Sequence, residues 1–406
     1  MIIAKIAWKN IWRSPLRSLI VIVSIILGLW AGTFMMAYVL GLMDQRLEDA
    51  IKYEISHFQI HHPEYQEDYD PVFDIEKPED MITSIQTDYN IKSATARVLA
   101  MGMVASSNTS TGGKFIGVNP DTESMVSNIN DLISEGRFLE ASDKNKVVIG
   151  QKLAEKLNVR LRSKIVLTFQ DVDRNIVAGA FRIVGIYDSY NSSIEERNLY
   201  VMDRDLSALL NTPGHVHEIA LLLNDPDELD QTVSALSNEL SAKKVESWKS
   251  ISPELSLMVD SMDQSMMIFL IIILLALSFG IVNTMLMAVL ERVREIGVLM
   301  AIGMTKTRLF FMIFLETVFI IGLAAPLGLL LAYATITYLG NTGMDLSNFY
   351  KEGYAAFGFQ SMIYPNLGVE YYIKILWLVA VTAILASIYP AITALRLNPV
   401  NAIKKI

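Results

Sequence analysis

Four long apolar segments interrupt an otherwise mixed sequence. The segments 18–43, 264–290 and 375–395 hold 26, 27 and 21 residues without a charge, and 309–340 holds a single charged residue, Glu316. A bilayer core is crossed by about 20 residues of apolar helix. The pattern therefore predicts transmembrane helices at 18–43, 264–290, 309–340 and 374–396.

The segment 44–263 between the first two predicted spans has a different pattern, in which short β-branched runs alternate with helical periodicity. Strands are predicted at 97–105, 114–118, 146–149, 165–169, 181–186 and 199–202, with helices at 151–157 and 227–240. The predicted fold class is thus an α-helical membrane protein with four transmembrane helices and a large α+β extracytoplasmic domain between helices 1 and 2.

Helical periodicity also flanks the spans. Leu255, Met258, Met262 and Met266 lie three or four residues apart, which predicts a stalk helix at 253–263 that runs into the second span. Residues 1–17 predict a cytoplasmic interfacial helix, with lysine or arginine at every fourth position and Trp8 and Trp12 as anchors. The alternative is a plain extension of the first span. Ser14 and Pro15 predict the start of that span.

The basic residues predict the orientation of the chain. Lysine and arginine concentrate in 1–17, in the turn 291–308 and around the tail 397–406, which places all three segments in the cytoplasm and 341–373 outside as a short loop. The segment 44–265 holds 37 acidic and 21 basic residues. This charge excludes nucleic acid as an expected partner. The expected location is the inner membrane, with both termini cytoplasmic.

The residues favour neither a metal site nor a catalytic one. The chain has no cysteine. His57, His61 and His62 lie close together, but their alternation predicts a strand and no clear fourth ligand accompanies them. The acidic stretch 64–80 lacks the spacing of a calcium loop. We therefore expect no metal and no catalytic residue.

Several motifs resemble one known family. The sequence RVREIGVLMAIGM at 292–304, Glu316 with Gly322 and Gly328, and the closing NPVNAI at 398–403 match its membrane region. EGRF at 135–138, VVIGQKLA at 147–154 and FRIVGI at 181–186 are similar to its periplasmic domain. Together they resemble a permease of the MacB/FtsX/LolC–LolE superfamily, the type VII or mechanotransmission class of ABC transporters.

The resemblance implies a division of labour between chains. The sequence contains no phosphate-binding loop of the Walker type, so this chain is expected to be a non-catalytic permease without a cofactor of its own. The implied partners are two copies of a cytoplasmic ABC ATPase that binds Mg-ATP and a second permease chain, identical or paralogous. The residues implied to couple to the ATPase are Arg292, Arg294, Glu295, Gly297, Leu299, Met300 and Gly303. The alternative is that the basic residues of this turn only fix topology.

Glu316 is the charge predicted within the third span. One interpretation pairs it with Arg308 or with a neighbouring chain, which would connect the turn to the helix. The other lets its carboxylate reach water at the headgroups.

The predicted cargo follows from the branch of the family. A four-helix permease with a separate ATPase and an outer domain of about 220 residues resembles LolC/LolE, which implies extraction of outer-membrane lipoproteins. The alternatives are MacB-like efflux of drugs or peptides and FtsX-like signalling to a periplasmic hydrolase.

Flexible apolar side chains suit acyl chains and membrane lipids. The candidate lipid or lipoprotein contacts are Phe34, Met35, Met36, Tyr38, Met262, Met266, Met267 and Phe269; ordinary helix packing is the alternative for each. The cargo's identity and whether the permease pair is a homodimer stay open.

Overall fold

A computed structural model describes residues 2–13, 15–346 and 358–395, and for Ile2, Arg17 and Asp263 the backbone alone. The predicted cap at Ser14, the tail 397–406 and part of the predicted loop 341–373 lie outside these residues. The chain divides into two compact units. The helical unit comprises Met1–Met43, Asp260–Asp345 and Met362–Ile406, and the α+β unit comprises Asp44–Val259 and Leu346–Ser361.

The helices and strands follow one another through both units. The helices are α1 (Ile2–Arg13), α2 (Pro15–Asp49), a π-helix (Ala50–Ile55), α3 (Tyr65–Asp68), α4 (Pro78–Asp88), α5 (Pro120–Val126), α6 (Gln151–Leu157), α7 (Ser192–Glu195), α8 (Asp203–Leu210), α9 (Leu229–Glu239), α10 (Trp248–Ile251), α11 (Pro253–Asp260), α12 (Met262–Glu291), α13 (Val293–Ala301), α14 (Lys306–Thr342) and α15 (Val369–Leu395). Ile129–Leu132 and Pro226–Glu228 are 3₁₀-helical. The strands are β1 (Phe58–His61), β2 (Ile75–Glu76), β3 (Ile91–Ala105), β4 (Ser110–Val118), β5 (Ile133–Gly136), β6 (Lys146–Gly150), β7 (Lys164–Gln170), β8 (Ile176–Tyr187), β9 (Asn198–Met202), β10 (His215–Val216), β11 (Glu218–Leu223), β12 (Lys244–Ser247), β13 (Met344–Asp345) and β14 (Met362–Ile363).

Four helical stretches are long and apolar enough to cross a membrane: α2, α11 with α12, α14 and α15. Each overlaps one predicted span. Ser261, which separates α11 from α12, has right-handed helical backbone angles, φ −76° and ψ −11°. The four residues predicted to form one face of the stalk belong to two different cores. Leu255 and Met258 pack into the core of the α+β unit, whereas Met262 and Met266 pack into the core of the helical unit.

Glycine allows α2 and α12 to approach closely. A Cβ atom on Gly28 would lie 2.6 Å from Leu277 Cδ2, and one on Gly32 would lie 2.9 Å from Ile273 Cδ1. Small residues four apart on a membrane helix permit this kind of contact, in which dispersion replaces the hydrophobic effect as the attraction. The packing fixes which residues of α2 and α12 face each other.

The α+β unit is built on a ten-stranded sheet with the order β12-β1-β11-β3-β4-β9-β6-β8-β5, and β7 pairs with both β3 and β8. The pairs β4–β9 and β6–β8 are parallel and the others are antiparallel. Each predicted strand lies within an observed one. The helix predicted from residue 227 begins one residue earlier with a 3₁₀ turn, because the Asp225 side chain accepts a hydrogen bond from the Asp227 N–H and caps it.

A buried ion cluster crosses this sheet. The Arg97 guanidinium on β3 donates to Glu123 of α5 at 2.9 and 2.7 Å and to Glu218 of β11 at 2.6 Å. Glu218 lies 3.9 Å from His61 Nε2 on β1. The Arg97 cation holds the pKa of Glu218 below its usual value although burial opposes this, and burial lowers the pKa of His61. The cluster joins three strands and a helix that are distant in sequence.

A second buried carboxylate in the α+β unit, that of Glu195, has only the nearby Lys152 as a counter-charge, and this cation offsets the effect of burial only in part. Burial, assisted by the nearby Asp188 carboxylate, raises the pKa of Glu195 to about 7, although the Ser189 N–H donates to Glu195 and opposes the shift. Since the pKa in the folded state exceeds the ordinary value of 4.5, Glu195 disfavours folding progressively as the pH rises from about 4.5 to 7.

Glu195→Gln should therefore stabilise the protein above pH 7, by about 2 kcal/mol, and by little below pH 4.5. The measurement is the unfolding midpoint of the purified chain in detergent at pH 4.5 and pH 8. Glu196→Gln, which changes the neighbouring and more exposed carboxylate, serves as the control. An equal gain at both pH values would contradict the explanation.

Candidate functional site

The segment 291–308, predicted as a charged turn, contains a helix. α12 ends where Arg292 leaves helical geometry, with φ −97° and ψ 14°, and α13 follows at once. Gly303 then adopts a φ of +102°, a conformation that favours glycine, and α14 begins at Lys306. The conformation of Gly303 thus ends the helix and turns the chain into the next span.

One face of α13 belongs to the interior of the helical unit. Ile296 and Gly297 are buried. Leu299 and Met300 are half-buried and pack in a cluster with α1, α14 and α15. The cluster's other members are Ile3, Ile6, Val289, Leu309, Phe310, Met312, Ile313, Met304, Ala391, Ala394 and Leu395. Leu299 and Met300, which the resemblance implies as coupling residues, therefore pack against this chain's own helices.

The opposite face of α13 is exposed and partly apolar. Arg294, Val298 and Ile302 follow one another at intervals of four residues, and Val298 and Ile302 are 41% and 79% exposed. Ala301, Gly303, Lys306 and Arg308 are also exposed. No ion pair joins Arg294 to another of the residues that the structure describes. We call Arg294, Val298, Ala301 and Ile302 the outward face of α13.

Two ion pairs hold α13 and its flanks to other helices. Arg292 Nη1 lies 3.0 Å from Glu316 Oε1 of α14, and Arg292 Nη2 donates to the Asn10 carbonyl of α1 at 3.1 Å. The Arg13 guanidinium donates to both oxygens of Glu295 at 3.0 and 2.8 Å. The salt bridge found for Glu316 is thus with Arg292, because the end of α12 and not the start of α14 brings a guanidinium to its carboxylate.

A cavity of about 450 Å³ lies beside α13 in the helical unit, and Arg294 and Val298 of the outward face line part of it. Its polar lining includes Arg13, Arg292, Arg294, Glu295 and Glu316, and its walls are apolar side chains of α1, α12, α13 and α14. The two ion pairs therefore border open space rather than tightly packed protein.

The candidate lipid contacts occupy different environments. Met35, Met267 and Phe269 are exposed, whereas Phe34, Tyr38 and Met262 are half-buried. Met36 and Met266 are buried. A narrow cavity of about 20 Å³ between α2 and α12 is lined in part by Met35, Met36, Met266 and Phe269. The structure thus brings these four together, and Phe34, Tyr38, Met262 and Met267 do not line that cavity.

The three histidines noted in the sequence each have a structural contact. His57 Nδ1 accepts a hydrogen bond from the Leu223 N–H at 2.8 Å. His61 lies between the His217 carbonyl and Gln59 Oε1, 3.0 Å from each. The His62 ring stacks on Phe73. Within the described part of the chain, no group of three or more His, Asp or Glu side chains is arranged to hold a metal ion.

Sequence reasoning missed four residues of this site. Val298 and Ile302 could have been found, because their spacing from Arg294 places all three on one helical face. Arg13 and Asn10 carried no such signal, because their contacts to Glu295 and Arg292 each span 282 positions.

Two family descriptions match the chain. Residues 18–239 match the MacB-like periplasmic core domain, and residues 267–399 match the FtsX-like permease C-terminal region. These matches confirm the predicted fold class of four long apolar helices with an α+β domain between the first two.

Individual relatives are distant. The chain is 28% identical to the lipoprotein-releasing system transmembrane protein LolC of Buchnera aphidicola, over 57% of this chain and 59% of that protein. It is 26% identical to an uncharacterised ABC transporter permease of Methanocaldococcus jannaschii, over 67% and 65%. It thus spans less than two thirds of either relative. LolC of Haemophilus influenzae is 25% identical over 72% of each chain. The periplasmic region of MacB from Actinobacillus actinomycetemcomitans aligns with a TM-score of 0.36 and 15% identity, over 52% of this chain and 98% of that one.

Proposed function

This chain belongs to the family of ABC transporter permeases that join a MacB-like periplasmic core domain to an FtsX-like C-terminal region, and from that membership we propose that it transmits force. In this proposal it is a non-catalytic permease of the inner membrane, with both termini and α13 in the cytoplasm. ATP is hydrolysed as Mg-ATP in two copies of a separate ATPase, and a second permease chain completes the complex.

The outward face of α13 is the observation that carries this proposal. Ile302 is a large aliphatic side chain that is 79% exposed, between the positive charges of Arg294 and of Lys306 and Arg308. An exposed apolar anchor with a polar rim is typical of a protein docking site. The basic residues nearby favour the cytoplasmic side of the membrane, where an ATPase would be.

The proposed motion starts at α13. Closure of the ATPase pair would displace this helix, which is joined to α12 through Arg292 and to α14 through the short segment 302–305. α12 follows α11 in the chain after the single residue Ser261, whose backbone angles are helical, and in this proposal the displacement passes from α12 to α11. A polar pore is not required, and the described spans contain few charges to line one.

We propose lipoproteins of the outer membrane as the cargo. Two of the relatives are named as lipoprotein-releasing proteins. The surface where α2 meets α12 offers methionine and phenylalanine to an acyl chain, because Met35 and Phe269 are exposed at the mouth of the small cavity there. Methionine is unbranched and adapts to irregular lipid tails.

The experiment is purification of the tagged chain from native membranes in mild detergent, followed by mass spectrometry of everything bound. An ATPase together with acylated lipoproteins is the expected result. An ATPase with an efflux tunnel or a cell-wall hydrolase would support the alternatives and reject the cargo. Absence of any ATPase would reject the proposed function as a whole.

Phe269→Ala should reduce lipoprotein release about tenfold if its ring contacts the acyl chain, which corresponds to about 1.4 kcal/mol of lost binding. Phe279→Ala is the matched control, because Phe279 is an exposed phenylalanine of the same helix that does not line the cavity. The measurement is release of a labelled lipoprotein from proteoliposomes that contain the complex. Equal effects of the two substitutions would contradict the assignment of the cavity.

A further inference from the structure

We propose that α1 positions α13. In this proposal, contacts of Arg13, Glu295 and Arg292 fix the orientation of α13 and therefore of its outward face. The inference rests on the proposed function for its consequence, since α13 is the helix on which the ATPase would push. It concerns contacts within the helical unit alone.

The first contact is the pair between Arg13 and Glu295. The guanidinium binds both carboxylate oxygens, which fixes its direction as well as its distance. The two side chains are 63% and 47% exposed, so water and salt weaken the attraction. A pair of this kind can open and close during a reaction cycle.

The second contact is less exposed. Arg292 is 16% exposed and Glu316 is 10% exposed in their side chains. Arg292 also donates to the Asn10 carbonyl. One guanidinium thus joins α1 to α14 at the residue where α12 ends. Because a charge left without its partner in a poorly solvated place is costly, this contact should persist while the outer pair opens.

Apolar contacts complete the attachment of α1. Ile3 and Ile6 pack in the cluster that contains Ile296 of α13 and Leu309 of α14. The Trp8 ring meets Phe319 of α14 edge to face, with 5.7 Å between ring centroids. α1 is therefore fixed to α14, and the Arg13–Glu295 pair is the point at which it holds α13.

This arrangement gives each charge of the segment a distinct role. Arg292 and Glu295 are engaged within the chain, whereas Arg294 is exposed and lines the cavity beside α13. If the Arg13–Glu295 pair is lost, α13 keeps its apolar contacts but loses its restraint on that side. We expect the ATPase still to bind and its motion to be passed on less completely.

Exchange of the two charges tests the contact directly. Arg13→Glu and Glu295→Arg should each raise amide hydrogen exchange in α13 about tenfold in the full chain in membranes, and the double variant should restore it to within twofold. Lys9→Glu is the control, since Lys9 is an exposed cation of the same helix and the charge changes equally. The inference would be overturned if amide hydrogen exchange in α13 were no faster in Arg13→Glu than in Lys9→Glu. It would also be overturned if the double variant did not recover the original rate.

The consequence is tested with the reconstituted complex. Arg13→Glu, which lies outside the implied coupling residues, should retain ATPase binding. Each single variant should release about fivefold less cargo per ATP hydrolysed, and the double variant should recover the ratio. Single variants with an unchanged ratio would overturn the positioning role. If no ATPase co-purifies with the unaltered chain, the proposed function fails, whereas the exchange measurement still decides whether α1 holds α13.

Discussion

Replacement of Arg97 by methionine is expected to destabilise the α+β unit by about 5 kcal/mol and to lower its unfolding temperature steeply. The side chains of Arg97, Glu123 and Glu218 are 9%, 0% and 4% exposed, and the arginine is the cation found between the two carboxylates. Loss of one partner from a buried ion pair costs about 3–5 kcal/mol, against a total stability of about 5–15 kcal/mol for a domain. Here two carboxylates would be left, so the cost should lie at the upper end.

Two observations would separate this explanation from simple loss of packing. The destabilisation of the purified variant should be smaller at pH 5 than at pH 8, because without the Arg97 cation burial raises the pKa of Glu218 and favours its neutral form. Addition of Glu123→Gln and Glu218→Gln to Arg97→Met should also restore most of the stability, since no uncompensated charge remains. An Arg97→Met variant that unfolds equally at pH 5 and pH 8 would show that the charge is not responsible.

Ile302→Asp is expected to lower the affinity for the partner ATPase at least about 100-fold, which corresponds to about 2.7 kcal/mol. The substitution would place a charge where the proposal puts an apolar anchor. Because Ile302 is 79% exposed, the fold of the permease should tolerate it. The measurement is the amount of ATPase retained on the immobilised permease in detergent as the ATPase concentration is varied.

The control for this substitution is Thr307→Asp. Thr307 is exposed, lies five residues away and sits in the first turn of α14, where a negative charge is favourable. Equal retention of the ATPase by Ile302→Asp and by the unaltered chain would remove the outward face of α13 as the docking surface.

The features that the sequence predicts well are those that a local pattern determines. An uncharged run of more than 20 residues can hardly be anything other than a span, and all four correspond to helices. Runs such as Val147-Val148-Ile149 are β-branched, and each predicted strand lies within an observed one. The resemblance to MacB-like and FtsX-like permeases, which depends on several motifs along the chain, is confirmed by both family matches.

The features that the sequence could not give depend on partners distant in the chain. Nothing near Arg97 indicates that Glu123 and Glu218 will meet it, or that β1 lies between β11 and β12. The motif at 292–304 locates the candidate coupling segment, but it does not show that Glu295 and Arg292 contact Arg13 and Asn10 of α1. For the same reason the sequence leaves open whether Glu316 pairs with Arg308, pairs with a neighbouring chain or reaches headgroup water, whereas the structure shows a salt bridge with Arg292.

The place of β1 in the sheet has a consequence for biosynthesis. Phe58 of β1 pairs with Leu221 of β11 on one side and with Ser247 of β12 on the other. β1 is therefore synthesised first but cannot pair with its neighbours in the sheet until β11 and β12 have been synthesised. A nascent chain that stops before β11 carries β1 with both edges unpaired, a condition that promotes aggregation. The central hairpin of β3 and β4 can form early because its strands adjoin in sequence. Completion of the domain therefore requires nearly its whole length, and a ribosome that stalls within it leaves a fragment for proteases.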